Sequence, residues 1–126
     1  MSLFHAVLRI DHEQAQVLQF DPDHVEAQKL KAHHHPTAYH RSQVRSEHEF
    51  FGEVCTALEG IAEVLVAGSR TALADFRHYV EKHRPQTAKH IVGYETVDHP
   101  SDGQLVALAR QYFLKYDRMS GTPTPT

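Results

Sequence analysis

Apolar residues recur at every second position near the N-terminus, where Phe4, Ala6, Leu8 and Ile10 alternate with His5, Val7, Arg9 and Asp11. Period two is the repeat of a strand with one apolar face. Asp11-His-Glu-Gln14 is polar and turn-like, and Ala15 to Phe20 resumes an extended apolar pattern, so the two segments predict a hairpin. Asp21-Pro22-Asp23 makes a second turn. A third strand, His24 to Lys31, comes next, and its polarity suits a sheet edge, where charged side chains discourage wrong pairing. Residues 32–45 hold Pro36 and no apolar period, which predicts a loop. Ser46 and Glu49 have the spacing of a capping box. Phe50, Phe51, Val54, Cys55 and Leu58 then share one helical face, with Gly60 as the C-terminal stop.

The second half repeats a strand–helix motif. Glu63 to Ala67 is a short, nearly continuous apolar run, as expected of a strand covered on both faces. Gly68-Ser69 turns into a helix with Leu73, Phe76 and Val80 inward, stopped at Arg84-Pro85. His90 to Val97 reads as the fifth strand. Ser101-Asp-Gly-Gln104 is a second capping box, opening a helix whose face is Leu105, Leu108, Ala109, Tyr112, Phe113 and Tyr116. The order β-β-β-α-β-α-β-α predicts an α/β sandwich on a mixed sheet. The fourth and fifth strands are expected to be parallel, with the N-terminal hairpin extending the sheet antiparallel. Its expected core is Leu8, Ile10, Val17, Phe51, Val54, Leu58, Val64, Val66, Leu73, Phe76, Val80, Ile91, Leu105, Leu108 and Phe113.

The chain has 126 residues, which fits one domain over 1–119 and a polar, proline-rich tail, 120–126, expected to be disordered. Net charge is −3 with neutral histidines, so the basic footprint of a broad nucleic-acid binder is missing. Twelve histidines soften that balance, since protonating all of them would move it to +9. Cys55 is the only cysteine, which excludes an internal disulfide and a cysteine-based zinc site. The N-terminal stretch, cut by His5, Arg9 and Asp11, is too interrupted for a signal peptide, and no membrane span appears later in the chain. A reduced cytoplasm is the expected compartment.

Within this element order, Val64–Ser69 leading into a helix and Val97-Asp-His-Pro-Ser-Asp-Gly-Gln-Leu-Val-Ala107 leading into the last one resemble a known group. The chain looks like the third, C-terminal domain of archaeo-eukaryotic peptide-chain release factors and Pelota. More closely, it is similar to small standalone bacterial proteins of that type, often labelled translational machinery proteins, and the resemblance covers residues 3–118. The resemblance implies the three-layer α/β/α sandwich of the kink-turn-binding ribosomal proteins. It also implies docking to a translational GTPase, as in full-length relatives, with codon reading and peptidyl-tRNA hydrolysis belonging to two other domains. The hydrolytic Gly-Gly-Gln tripeptide is absent; Asp102-Gly103-Gln104 falls inside the capping box, where Gln104 has a structural job.

Several residue sets carry candidate chemistry. His33, His34, His35, His40 and His48 hold enough imidazole for zinc, nickel or copper, although three consecutive histidines cannot all converge from an extended loop. Gly68-Ser69 stands between a strand and a helix N-terminus, where backbone amides welcome an anion; N-capping is the ordinary use of such a serine. Arg70, Arg77 and Arg84 recur every seven residues and, with Lys89, form the densest positive edge, suited to an acidic protein surface or RNA phosphate. Asp98-His99-Pro100 contains the parts of an acid–base relay but no nucleophile beside it. The expectation is a non-enzymatic, cofactor-free binding domain whose partner is the ribosome or a translation-factor protein. The rivals are a histidine-based metal protein or enzyme and a direct RNA binder.

Overall fold

The computed structural model describes residues 5–21, 23–32 and 40–120. In chain order the elements are β1 (His5–Ile10), β2 (Gln14–Phe20), β3 (Val25–Lys31), α1 (His40–Ala57), β4 (Glu63–Gly68), α2 (Arg70–His83), α3 (Pro85–Ala88), β5 (Ile91–Thr96) and α4 (Asp102–Ser120). The strands form one sheet in the order β3-β2-β1-β4-β5. β1 and β2 are antiparallel, as are β2 and β3, whereas β1 pairs parallel with β4 and β4 with β5. The sheet is therefore mixed, as expected, but the hairpin joins it through a parallel β1–β4 contact rather than an antiparallel one.

Helices cover both faces, giving the three-layer α/β/α sandwich. On one side Phe50, Phe51, Val54, Cys55 and Leu58 of α1 and Leu73, Phe76 and Val80 of α2 pack on Ala6, Leu8, Ile10, Val17, Val64 and Val66. On the other, Leu105, Val106, Ala109 and Phe113 of α4 pack on Val7, Leu18, Phe20, Leu65 and Ala67. β1 is thus central and buried on both faces. Its alternation suggested a single apolar face because His5, at the end of the α4-facing row, looks like a solvent position yet is buried. β3 is the predicted edge, exposed except at Leu30. Ile91 and Leu108, expected in the core, are only half-buried: Ile91 lies on the edge strand β5 and Leu108 at the fringe of α4.

Local signals explain most boundaries. Two amides donate to Asp11 Oδ1 at 2.7 Å, tying the β1–β2 turn, and Asp21 does the same for the next turn. Ser69 Oγ accepts from the Ala72 amide as N-cap of α2. The capping box at α4 closes in both directions: the Ser101 amide donates to Gln104 Oε1 at 2.8 Å and the Gln104 amide to Ser101 Oγ at 3.2 Å. Gly60, at φ 85°, takes the left-handed conformation that ends the turn after α1.

Three expectations need correction. α1 starts at His40, so Ser46 lies inside the helix and the predicted loop 32–45 is helical from 40 onward. His40 to Ser46 contains no glycine or proline, and once a helix is nucleated each added residue extends it at little cost, even without an apolar stripe. The short α3 was not anticipated; Pro85 stops α2 but is well suited to open a new turn at its first position. His99, expected to be extended because Pro100 follows it, sits instead at φ 47° in the turn between β5 and α4, a region histidine tolerates. No described helix is long and apolar enough to cross a membrane. The tail 121–126 lies outside the described residues, and α4 extends through Ser120.

Candidate partner-binding face

α2 buries Ala72, Leu73, Phe76 and Val80 and so presents two polar flanks. At about 100° per residue, Arg70, Arg77 and Glu81 share one flank, and Asp75, His78, Tyr79 and Lys82 share the other. The first flank leans toward β5: the Arg77 guanidinium lies 5.2 Å from the Tyr94 ring centre and its Nε donates to Glu81 Oε2 at 3.3 Å. The second leans toward α1, where His48 meets the rings of Tyr79 and His83 at 5.3 and 5.6 Å.

The four residues of the predicted positive edge do not form a tight patch. α2 has 14 residues, so Arg70 and the Arg84–Lys89 end stand about 20 Å apart. Arg70 is exposed in the first helical turn, where a cation opposes the helix dipole and no acidic residue offsets it. Arg77 is engaged as above, in an exposed pair worth only about 0.3–0.5 kcal/mol. Arg84 is half-buried and lines an open groove against α1 with His48, Glu49, Gly52, Glu53, Thr56 and Tyr79. Lys89 is exposed just past α3.

The anion reading of Gly68 and Ser69 finds both residues otherwise employed. A side chain at Gly68 would run into the Ile10 carbonyl oxygen, so glycine is needed there for β1 and β4 to approach. Ser69 spends its hydroxyl on the cap. Of the proposed metal ligands, His33 and His35 lie outside the described residues, as does the His40 side chain. His48 is exposed on α1 among aromatic rings. Asp98 and His99 are almost fully exposed, with 3.6 Å between His99 Nε2 and Asp98 Oδ1. Cys55 is buried, and that burial pushes its thiol up to about 11, so it is unreactive core.

The chain's most unusual polar cluster escaped sequence reasoning. His5 Nε2 lies 3.1 Å from both Glu63 Oε1 and Asp117 Oδ2, where β1, β4 and α4 meet. His5 and Asp117 are buried and Glu63 is 12% exposed. The His5 ring stacks on Phe113 at 4.2 Å. Burial, then the adjacent Asp117, raises Glu63 to about 7, so below neutrality it still holds a proton that it can share with Asp117. Burial lowers His5, partly offset by Asp117. One signal was available: Asp117 takes the next place on the buried stripe Leu105-Ala109-Phe113. Among the described residues only one other group brings a histidine nitrogen and two carboxylate oxygens within 4.8 Å, namely His12, Glu47 and Asp75.

The fold has close counterparts among solved structures. Pelota of Archaeoglobus fulgidus is similar over 96% of this chain and 36% of its own length, with TM-score 0.64 and 20% identity. Pelota of Thermoplasma acidophilum covers 90% of this chain and 32% of its own, at TM-score 0.60 and 16% identity. The archaeal translation termination factor aRF1 covers 93% and 41%, at TM-score 0.59 and 16% identity. The part matched is their C-terminal domain. This chain spans about a third to two-fifths of the length of these proteins. No protein-family model matches the sequence, and no curated protein does.

Proposed function

We propose that this chain is a non-enzymatic binding domain of the translation machinery, engaging a ribosomal or translation-factor protein through the flank of α2 that carries Arg70 and Arg77, with Lys89 at its far end. The observation carrying the reading is the likeness of nearly the whole chain to one domain of Pelota and of aRF1, the latter a translation termination factor. At these identities the likeness speaks for the fold, so the role is inferred from the company that fold keeps. The side chains point the same way. Arg70 is a cation held where it does nothing for its own helix, and exposed charges of that kind serve recognition and association rate more than stability. A protein partner is favoured over bare RNA by the net charge of −3, which lacks the basic field that phosphate recognition draws on.

The test is cosedimentation of untagged protein with purified ribosomes and translation factors at two salt concentrations, with and without nuclease. The reading expects retention that survives nuclease and weakens with salt. Retention lost on nuclease treatment would make the chain an RNA binder. Turnover of peptidyl-tRNA, a phosphoester or a nucleic acid would overturn the non-enzymatic part.

A further inference from the structure

We infer that the cleft between α1 and α2, at the point where the β1–β2 turn folds over them, is a site for a divalent transition metal of the zinc type, held by His12 Nε2, Glu47 and Asp75. The three principal donors come from three elements far apart in sequence, so only the fold brings them together. His12 Nε2 is 2.9 Å from Asp75 Oδ2 across 63 residues. One carboxylate oxygen of Glu47 lies within 4.8 Å of both. Glu47 is half-buried, and its carboxylate makes no hydrogen bond or ion pair with another described side chain. Glu47, Asp75 and His78 line one cleft of about 240 Å³, with His48 and His83 on its wall.

The donor chemistry decides the class of ion. One neutral imidazole with two carboxylates supplies nitrogen and oxygen ligands and balances a 2+ charge, which suits zinc and its neighbours. Tetrahedral ligands about 2.1 Å from such an ion lie about 3.4 Å from one another. The observed separations, from 2.9 Å to within 4.8 Å, bracket that spacing, and rotation of exposed side chains closes the difference. The Asp11-capped turn fixes the backbone on which His12 is carried. Lys82, on the same wall, is exposed and can extend into solvent as the ion enters. This site shares none of its ligands with the histidine run at 33–35.

The test uses the untagged full chain after chelator treatment. Zinc is titrated against a chromophoric chelator, and cobalt is added separately to read ligand number from its visible absorption. The expectation is one zinc per chain and a melting temperature that rises with zinc but not with magnesium. His12→Gln, Glu47→Gln and Asp75→Asn should each weaken binding at least about tenfold, since even outer-sphere partners of a metal are worth that much. All three are polar substitutions at exposed or half-buried positions, and circular dichroism checks that the fold is retained. A His33→Gln/His34→Gln/His35→Gln variant should bind as tightly as the parent. Binding lost in that triple variant, binding indifferent to His12 and Asp75, or no binding below millimolar zinc would each overturn the assignment.

Discussion

Replacing Glu63 with glutamine separates a proton from a charge at the buried His5–Glu63–Asp117 cluster. In the parent, the protonated Glu63 donates to Asp117, and Glu63 is raised from the usual 4.5 to about 7, first by burial and then by Asp117. A group raised on folding contributes stability that is complete below its unfolded value and is lost as pH climbs through its folded one. The window for Glu63 is therefore pH 4.5 to about 7, and its size is at most roughly 3 kcal/mol, reduced by the solvent that screens this partly exposed carboxyl. Glutamine keeps a donor toward Asp117 at every pH and carries no charge. Relative to the parent, Glu63→Gln should thus gain between about 1 and about 3 kcal/mol in unfolding free energy from about pH 4.5 to about pH 8. His5, lowered on folding, contributes in the opposite sense, its stability fading as pH falls below 6.5; it is present in both proteins and largely cancels in the comparison. Urea unfolding of both proteins at several pH values reads the difference directly. A difference that stays constant to within about 0.5 kcal/mol across that range would refute the proton-sharing account.

Other substitutions test the packing and the binding face. Leu105→Ala, at a fully buried position under α4, should cost about 2–5 kcal/mol in urea unfolding, and a loss under about 0.5 kcal/mol would remove it from the core. Gly68→Ala would set a methyl group against the Ile10 carbonyl, backbone against backbone, and should cost about 1–3 kcal/mol; unchanged stability would contradict the close β1–β4 approach. Arg70→Glu should strengthen the first turn of α2 by about 0.3–1 kcal/mol while weakening retention on ribosomes. A variant that is both more stable and equally well retained would exclude Arg70 from the interface.

The layers of the fold were legible because they rest on short-range patterns. The α2 stripe Leu73-Phe76-Val80, the Ser69 cap and the Ser101–Gln104 capping box each lie within one or two turns of chain. The start of α1 was not legible, since His40 to Ser46 has no apolar period and its helicity depends on the patterned turns C-terminal to it. The polar clusters were hidden for another reason. His5 and Asp117 are 112 residues apart, and His12 and Asp75 are 63 apart, so neither pairing leaves a spacing to read. The arginine period of seven was visible, but not that Arg77 would settle over Tyr94 or that Arg84 would turn in against α1. Periodicity assigns a face and is silent on what that face touches.

Site-specific photocrosslinking from α2 tests the binding account most directly. A photoreactive side chain placed at Arg70 or Lys89, both exposed, is compared with one at Glu26 on the exposed β3 edge, in lysate with intact ribosomes. The account predicts salt-sensitive adducts with ribosomal or translation-factor proteins from the α2 positions and none from Glu26, with the adducts identified by mass spectrometry. Adducts equally frequent from Glu26, or α2 adducts confined to proteins outside translation, would contradict it.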